Sequence, residues 1–204
     1  SRHVDPAALE FLVSAAGPRI RVIEIGPGQI VTRQGQAATP VANGRAVADP
    51  DRDLLKIAVV ERHRGTARTG IGFVKGMGLR RGAIASSVAH DAHNIIVVGA
   101  RDDDMHAAVR HVVDMQGGLA VVADGKILAS LALPIAGLMS PAPVRSIQDQ
   151  LTGLTRAARD LGTSLPDPFM TLSFLALPVI PELKITDIGL VDVNRFEPVD
   201  LFVG

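Results

Sequence analysis

The sequence predicts an α+β fold, layered α/β with mixed, partly antiparallel sheets packed by helices. Three observations carry that prediction. Hydrophobic residues make up 47% of the 204 and aromatics only 3%, with no Trp and no Tyr. The core must then be built from Val, Ile, Leu and Ala, which suits strands buried beneath helices. Short aliphatic runs bounded by turn residues recur along the chain, as strands do. Finally, strand-like and helix-like stretches alternate irregularly, without the regular βαβ rhythm of a barrel or a doubly wound sheet.

In chain order, Asp5 and Pro6 read as the cap and first turn of a helix through Ala16, stopped by Gly17-Pro18. Arg19 to Glu24 alternates charged and aliphatic residues, the pattern of a half-exposed strand. Gly26-Pro27-Gly28 then turns the chain into a second strand, Gln29 to Arg33. Residues 35–53 read as a connecting loop or a short edge strand near Arg45 to Ala48, so that residues 1–50 form a loosely packed leading segment. Leu54 to Glu61 is a strong strand, followed by a polar loop at Arg62 to Thr66 and a short extended stretch at Ile71 to Val74. Ile84 to Val88 and Ile95 to Val98 are buried strands on either side of a polar cluster. Asp102 to Met115 is a helix, with three acidic residues at its N-terminus and Gly117-Gly118 after it. Asp124-Gly125 joins Leu119 to Ala123 and Lys126 to Leu133 as a hairpin. Pro141 to Leu161 and Pro166 to Leu177 are further helical stretches, and the tail from Gly189 to Val203 holds two short strands. No internal repeat or low-complexity segment is visible.

Composition also excludes function classes. Twenty-one basic residues balance twenty-one acidic ones, so no long-range field favours nucleic acid or an anionic membrane. The scarcity of aromatic rings removes the stacking platforms that single strands need. Without cysteine there are no disulfides, thiolate nucleophiles or Cys-ligated zinc, and the H-x-E with P-C-x-x-C deaminase signature is excluded. With no leader and no bilayer-length apolar run, the expected compartment is the cytoplasm. The chain starts on Ser1 rather than Met, which leads to the expectation of a fragment or a processed chain.

The main chemical candidate is His90-Asp91-Ala92-His93-Asn94, set between two aliphatic strands. Polar groups collect in such strand-end loops, where the backbone turns and water enters. His90 and His93 could ligate a metal, with His63 as the best third ligand and Asp91 orienting an imidazole. One His could instead act as acid or base beside Asp91, or the group could simply cap strand-end carbonyls. Glu61-Arg62-His63 ends a strong strand and suits an anion or a purine edge, or plain solvation. Gly72-Phe73-Val74-Lys75-Gly76 lacks the Walker spacing, and Gly26-Pro27-Gly28 lacks the helix of a dinucleotide fingerprint. Asp102-Asp103-Asp104 is best explained by the helix dipole. Asp167 to Leu177 has no nucleophile elbow, and its apolar surplus suggests a buried helix or a contact face.

Several blocks together resemble the C-terminal domain of the microbial adenine deaminases, members of the amidohydrolase superfamily. They are Asp53 to His63, Gly72 to Gly76, Arg81 to Ser86, Ala89-His90-Asp91, His93 to Gly99, Leu133 to Ser140 and Pro168 to Pro181. They span nearly the whole chain in the family's order, so residues 1–204 are expected to form one domain of that type. The resemblance implies hydrolysis of a cyclic amidine C–N bond, converting adenine to hypoxanthine and ammonia in purine salvage. It implies a binuclear site of Mn or Fe, with Zn as a further option, in an amidohydrolase barrel N-terminal to this region. Metal-dependent attack by hydroxide on the purine ring is the chemistry such a site supplies. The barrel's His-x-His ligands have no counterpart in these 204 residues, so no cofactor is expected in this chain alone, and an isolated fragment is expected to be inactive. The expected partners are adenine, the barrel and further copies in a homo-oligomer, with no nucleic acid and no membrane. The cleft-facing candidates are Arg62, His63, Lys75, His90, Asp91, His93 and Asn94. The chain departs from the family pattern at Ala67-Arg68-Thr69-Gly70, where a Gly-Asn type turn is expected. The alternative is a non-catalytic interaction or regulatory domain that keeps the family fold.

Overall fold

The structure is a computed structural model that describes residues 4–5, 9–26 and 28–203. The first half of the chain contributes strands β1 (Arg19–Ile25), β2 (Thr32–Ala38), β3 (Val41–Ala42), β4 (Arg45–Ala46), β5 (Leu54–Val60), β6 (Thr69–Lys75), β7 (Ala83–Ser86) and β8 (Ile95–Gly99). Helix α1 (Asp102–Asp114), the hairpin β9 (Gly118–Ala123) and β10 (Lys126–Ala132), and helices α2 (Val144–Asp160) and α3 (Pro168–Leu175) follow. The chain closes with β11 (Leu183–Thr186), β12 (Gly189–Asp192), β13 (Glu197–Val199) and β14 (Phe202–Val203).

The principal sheet runs β10-β9-β7-β8-β5-β6-β1-β14, with β2 also paired to β1. Among the described residues only β1 and β6 pair in parallel; the other pairs are antiparallel, which confirms the mixed sheet and the α+β class. All seven residues of β5 and all five of β8 are buried, so both faces of the sheet must be covered. Alternate residues serve the two layers. Ala58, Val60, Ala85, Val97 and Val122 pack with Met105, Val109 and Val112 of α1 and with Leu9 and Phe11. Leu55, Ile57, Val59, Ile96 and Val121 pack against Leu154 of α2, Leu172 of α3 and Ile185 and Leu190 of the small β11-β12-β13 sheet. Gly70 lets that small sheet lie close, since a Cβ there would stand 2.0 Å from the Thr186 carbonyl oxygen.

Several expectations need correction. The helix expected to end at Ala16 is absent over the described residues 9–16, and residues 6–8 lie outside the description. Leu9 and Phe11 are buried and Glu10 and Leu12 exposed, a period of two rather than 3.6. Extended backbone there bonds to the β3–β4 turn, with Ala15 N donating to Gly44 O and Ala46 N to Val13 O. Nor do the described residues of 1–50 form a loose leader: Ile20, Val22 and Ile23 are buried, and β2 pairs with β1 along its whole length. The second strand therefore starts at Thr32, later than expected, and consumes part of the presumed loop. In the tail the small sheet adds β11, which the sequence pattern did not signal. The three acids that open α1 do more than complement a dipole. Asp102 binds Lys56, and Asp104 accepts a hydrogen bond from Gly125 N at 2.9 Å, tying the hairpin turn to the helix.

Lys56 sits in the middle of β5 with 1% of its side chain exposed. Its ammonium donates to Phe11 O at 2.9 Å and pairs with Asp102 at 2.8 Å, which joins the leading segment, the sheet and α1. A buried cation that loses its acid is left largely uncompensated. Asp102→Ala is expected to lower unfolding stability by about 3 kcal/mol, measured by urea denaturation. Arg81→Ala, which breaks only the exposed pair with Asp124, should leave the midpoint unchanged.

Candidate functional site

The β5 strand runs out of the core at Val60, and the polar residues that follow turn back over the strand ends. Glu61 is buried, and its carboxylate organises the loop. One oxygen accepts from the backbone N–H groups of His63 (2.5 Å) and Arg64 (2.7 Å); the other accepts from Thr66 N (3.1 Å) and Thr66 Oγ1 (2.8 Å). Burial alone would raise its pKa. The hydrogen bonds from Arg64, Thr66 and His63 outweigh burial and hold it at about 2.

Arg62 is 4% exposed and points into the protein. Its guanidinium donates to the carbonyl oxygens of His93 and, at 2.8 Å, Ala136. It lies flat against Gly137, where a Cβ would stand 2.7 Å from a guanidinium nitrogen and where φ is +74°. Asn94 Oδ1 accepts from Arg62 N at 3.3 Å, and Asn94 Nδ2 donates to Asp187 at 3.4 Å. Asp187 in turn pairs with Arg68. One continuous network thus joins the 61–68 loop, the 89–94 loop, the 136–137 turn and the β11–β12 turn.

The two imidazoles of the 89–94 loop meet edge to face, with ring centroids 5.7 Å apart. His90 also packs on Phe174 of α3 at 4.9 Å, and its backbone N–H donates to Ser173 O. His93 has φ +49°, and its N–H donates to Ala89 O at 2.6 Å, closing a tight turn. Its Nδ1 is buried without a hydrogen-bond partner. Burial lowers its pKa, and the charges of His90 and Arg62 push in the same direction against Asp91. The neutral form of the ring is thereby favoured. His63 lies across the loop, with Nε2 2.7 Å from Ala92 O. Beside these residues a cavity of about 260 Å³ is lined by Val59, Ala89, Asp91, Asn94, Val179 and Asp187, among others.

Six of the seven candidates lie in one neighbourhood: Arg62, His63, His90, Asp91, His93 and Asn94. Lys75 is elsewhere. It ends β6 opposite Leu54, whereas the cluster lies beyond Val60 and Thr69 at the other end of the same strand pair. At about 3.4 Å per residue that is roughly 20 Å away. His63 Nε2 is engaged with the Ala92 carbonyl, and His90 and His93 meet ring to ring rather than around a common point. No group of three or more His, Cys, Asp or Glu side chains converges on a metal position among the described residues. The hydrogen bonds of the arrangement hold the loops in place. The sequence pattern singles out Glu61 with Arg62 and His63 but not as the acceptor that organises the loop, and Asp187 carries no local signal at all. Ala67-Arg68-Thr69-Gly70, the point of departure from the family pattern, supplies the arginine for Asp187 and the glycine under the small sheet.

A profile of the adenine deaminase C-terminal domain matches residues 29–197. An adenine deaminase from Desulfatibacillum aliphaticivorans is 56% identical over 202 residues, 99% of this chain and 36% of the relative. One from Dehalococcoides mccartyi is 50% identical over 97% of this chain and 35% of its own length. One from Methanothrix thermoacetophila is 52% identical over 95% of this chain and 34% of its own length. The chain belongs to the adenine deaminase C-terminal domain family and spans about a third of the length of these curated relatives. No helix among the described residues is long and apolar enough to cross a membrane.

Glu61 makes the loop sensitive to acid. Its folded pKa lies below its ordinary value of 4.5, so its contribution is full above that value and is lost as pH falls toward about 2. Glu61→Gln is expected to destabilise the chain by about 1–3 kcal/mol at pH 7. The same substitution should flatten the stability-against-pH curve between pH 4.5 and 2, read from denaturation midpoints across that range.

Proposed function

We propose that this chain is the C-terminal part of an adenine deaminase that hydrolyses adenine to hypoxanthine and ammonia in purine salvage in the cytoplasm. The observation that carries this reading is near-complete coverage, at 56% identity, of a stretch that makes up 36% of a relative bearing that name. The remaining length of such a protein would hold the metal-dependent barrel, with Mn or Fe, or Zn, as a binuclear centre. Within the chain, the 61–66 and 89–94 loops would face the substrate cleft and position it. A neutral His93, an available Asp91 and the Arg62-braced backbone suit that task, because they present hydrogen-bonding groups on rigid strand ends. The assembled enzyme would be a homo-oligomer.

One observation favours the second reading, an interaction domain. Helix α3 is apolar at most positions, and Met170 on its outer side is 50% exposed. A helix without a polar face is usually covered on all sides. The two readings are compatible if that face meets the rest of the longer protein.

Turnover separates them. Supplied with Mn, the 204-residue chain alone is expected to release no ammonia from adenine, while the longer protein that contains it should do so. In that longer protein, His90→Ala or His93→Ala should lower kcat/KM at least about tenfold with a melting shift of only a few degrees. Unchanged kinetics with a large melting shift would make both residues purely structural.

A further inference from the structure

Residues 168–181, which form α3 and the turn after it, carry no charged side chain. A helix at the surface ordinarily keeps charge on its outward face. Helix α2 does so, with Arg145, Asp149, Arg156 and Arg159 exposed. On α3 the outward position is Met170, half exposed, with the partly buried Phe174 one turn on. Beside them a cavity of about 130 Å³ opens between the helix and the β1–β2 turn, lined by Ile25, Ile30, Met170 and Phe174 among others. A cavity of about 150 Å³ holds a benzene ring, so this one takes a single large apolar side chain. Ile30, Val31 and Val179 extend the exposed apolar surface around it. Pro181 O accepts from Thr32 N at 3.0 Å, which sets the two flanking segments side by side. At about 1.5 Å per residue α3 is only about 12 Å long, too short by itself for an interdomain contact of about 600 Å² or more. The flanks supply the additional area.

The length of the relatives says what covers this surface. The chain matches a C-terminal domain family and accounts for only 36% of one relative and 35% of another, so most of such a protein precedes it. A second copy of this chain fits less well. No Lys or Arg is among the described residues that line the cavity, so a copy would bring its Asp167 to a surface without a matching cation. We propose that the surface formed by α3 and the 28–31 and 178–181 segments docks the preceding part of the longer protein, one of whose large apolar side chains fills the cavity between Ile30 and Met170. The inference rests on the reading of this chain as part of a longer protein, and not on what that protein catalyses.

The test is methionine oxidation by dilute peroxide, followed residue by residue by mass spectrometry, in the 204-residue chain and in the longer protein that contains it. In the chain alone Met170 should react as readily as the exposed Met139, while the buried Met77 and Met105 report that the fold is intact. In the longer protein Met170 should react at least about tenfold more slowly. Ile30→Glu puts a charge at the mouth of the cavity from a half-exposed position. In the longer protein it should return Met170 to the rate of the isolated chain, while shifting the melting temperature of the isolated chain by no more than about 2 °C. Ile127→Glu, on the β9–β10 hairpin, should leave Met170 protected. Equal oxidation of Met170 in the two proteins, or protection that survives Ile30→Glu, would overturn the proposal. So would protection lost when the longer protein is diluted to monomers, or already present in a dimer of the isolated chain, since the occupant would then be a second copy. A longer protein that protects Met170 but does not turn over adenine would sink the proposed activity and leave the docking surface standing.

Discussion

Arg62 places a guanidinium where water scarcely reaches, and burial lowers its pKa without a carboxylate in direct contact. Desolvating such a group costs several kcal/mol unless its donors are met. Here they are met by main-chain carbonyls of His93 and Ala136, which belong to segments far apart in sequence. The requirement works in both directions. The arginine stays charged and buried only if the 89–94 and 136–137 turns come to it, and those turns hold their left-handed backbone only while it braces them. His93, Ala136 and Gly137 all have positive φ. For the two residues with side chains this is a strained state that surrounding structure must hold in place.

The same logic extends outward in layers. Asn94 passes the constraint from Arg62 to Asp187, and Asp187 to Arg68. Ser87 secures the other side, donating to Gly137 O at 2.6 Å and accepting from Gly118 N at 2.8 Å. Each link is a polar group at or beyond the end of a strand whose body is mainly aliphatic. That division explains why the loops can be specific in shape without weakening the core. The aliphatic layers supply the burial free energy, and the polar groups decide which loop conformation accompanies it.

Much of this was legible in the sequence, for identifiable reasons. The α1 helix, the Asp124-Gly125 hairpin and the buried runs of β5 and β8 are local signals, set by periodicity and turn chemistry within a few residues. The residues of the site were legible too, because polar side chains between two aliphatic strands can only lie at their ends. What failed depended on distant partners. Leu9 to Ala16 has a composition that suits a helix, but its backbone bonds to residues 44–46 and its side chains pack on a sheet not yet formed in any local window. Lys75 shared a strand pair with the site yet sat at the wrong end of it, a distinction only strand register can make. Asp187 is an ordinary turn acid until the fold brings Asn94 and Arg68 to it.

The position of the cavity follows from these same partners. It opens where three separately built pieces meet: the ends of β5 and β8, the chain leaving α3, and the β11–β12 turn. None of the three could enclose a pocket alone, because each presents one wall. Gly70 and Gly72 matter here, since side chains at those positions would lift the small sheet from β6 and move Thr186 and Asp187 away from Asn94. The Arg62 network then sets where Asn94 and the 89–94 loop stand on the opposite wall. A shape defined by a buried cation on one side and a glycine-permitted sheet contact on the other is held within tight limits on both.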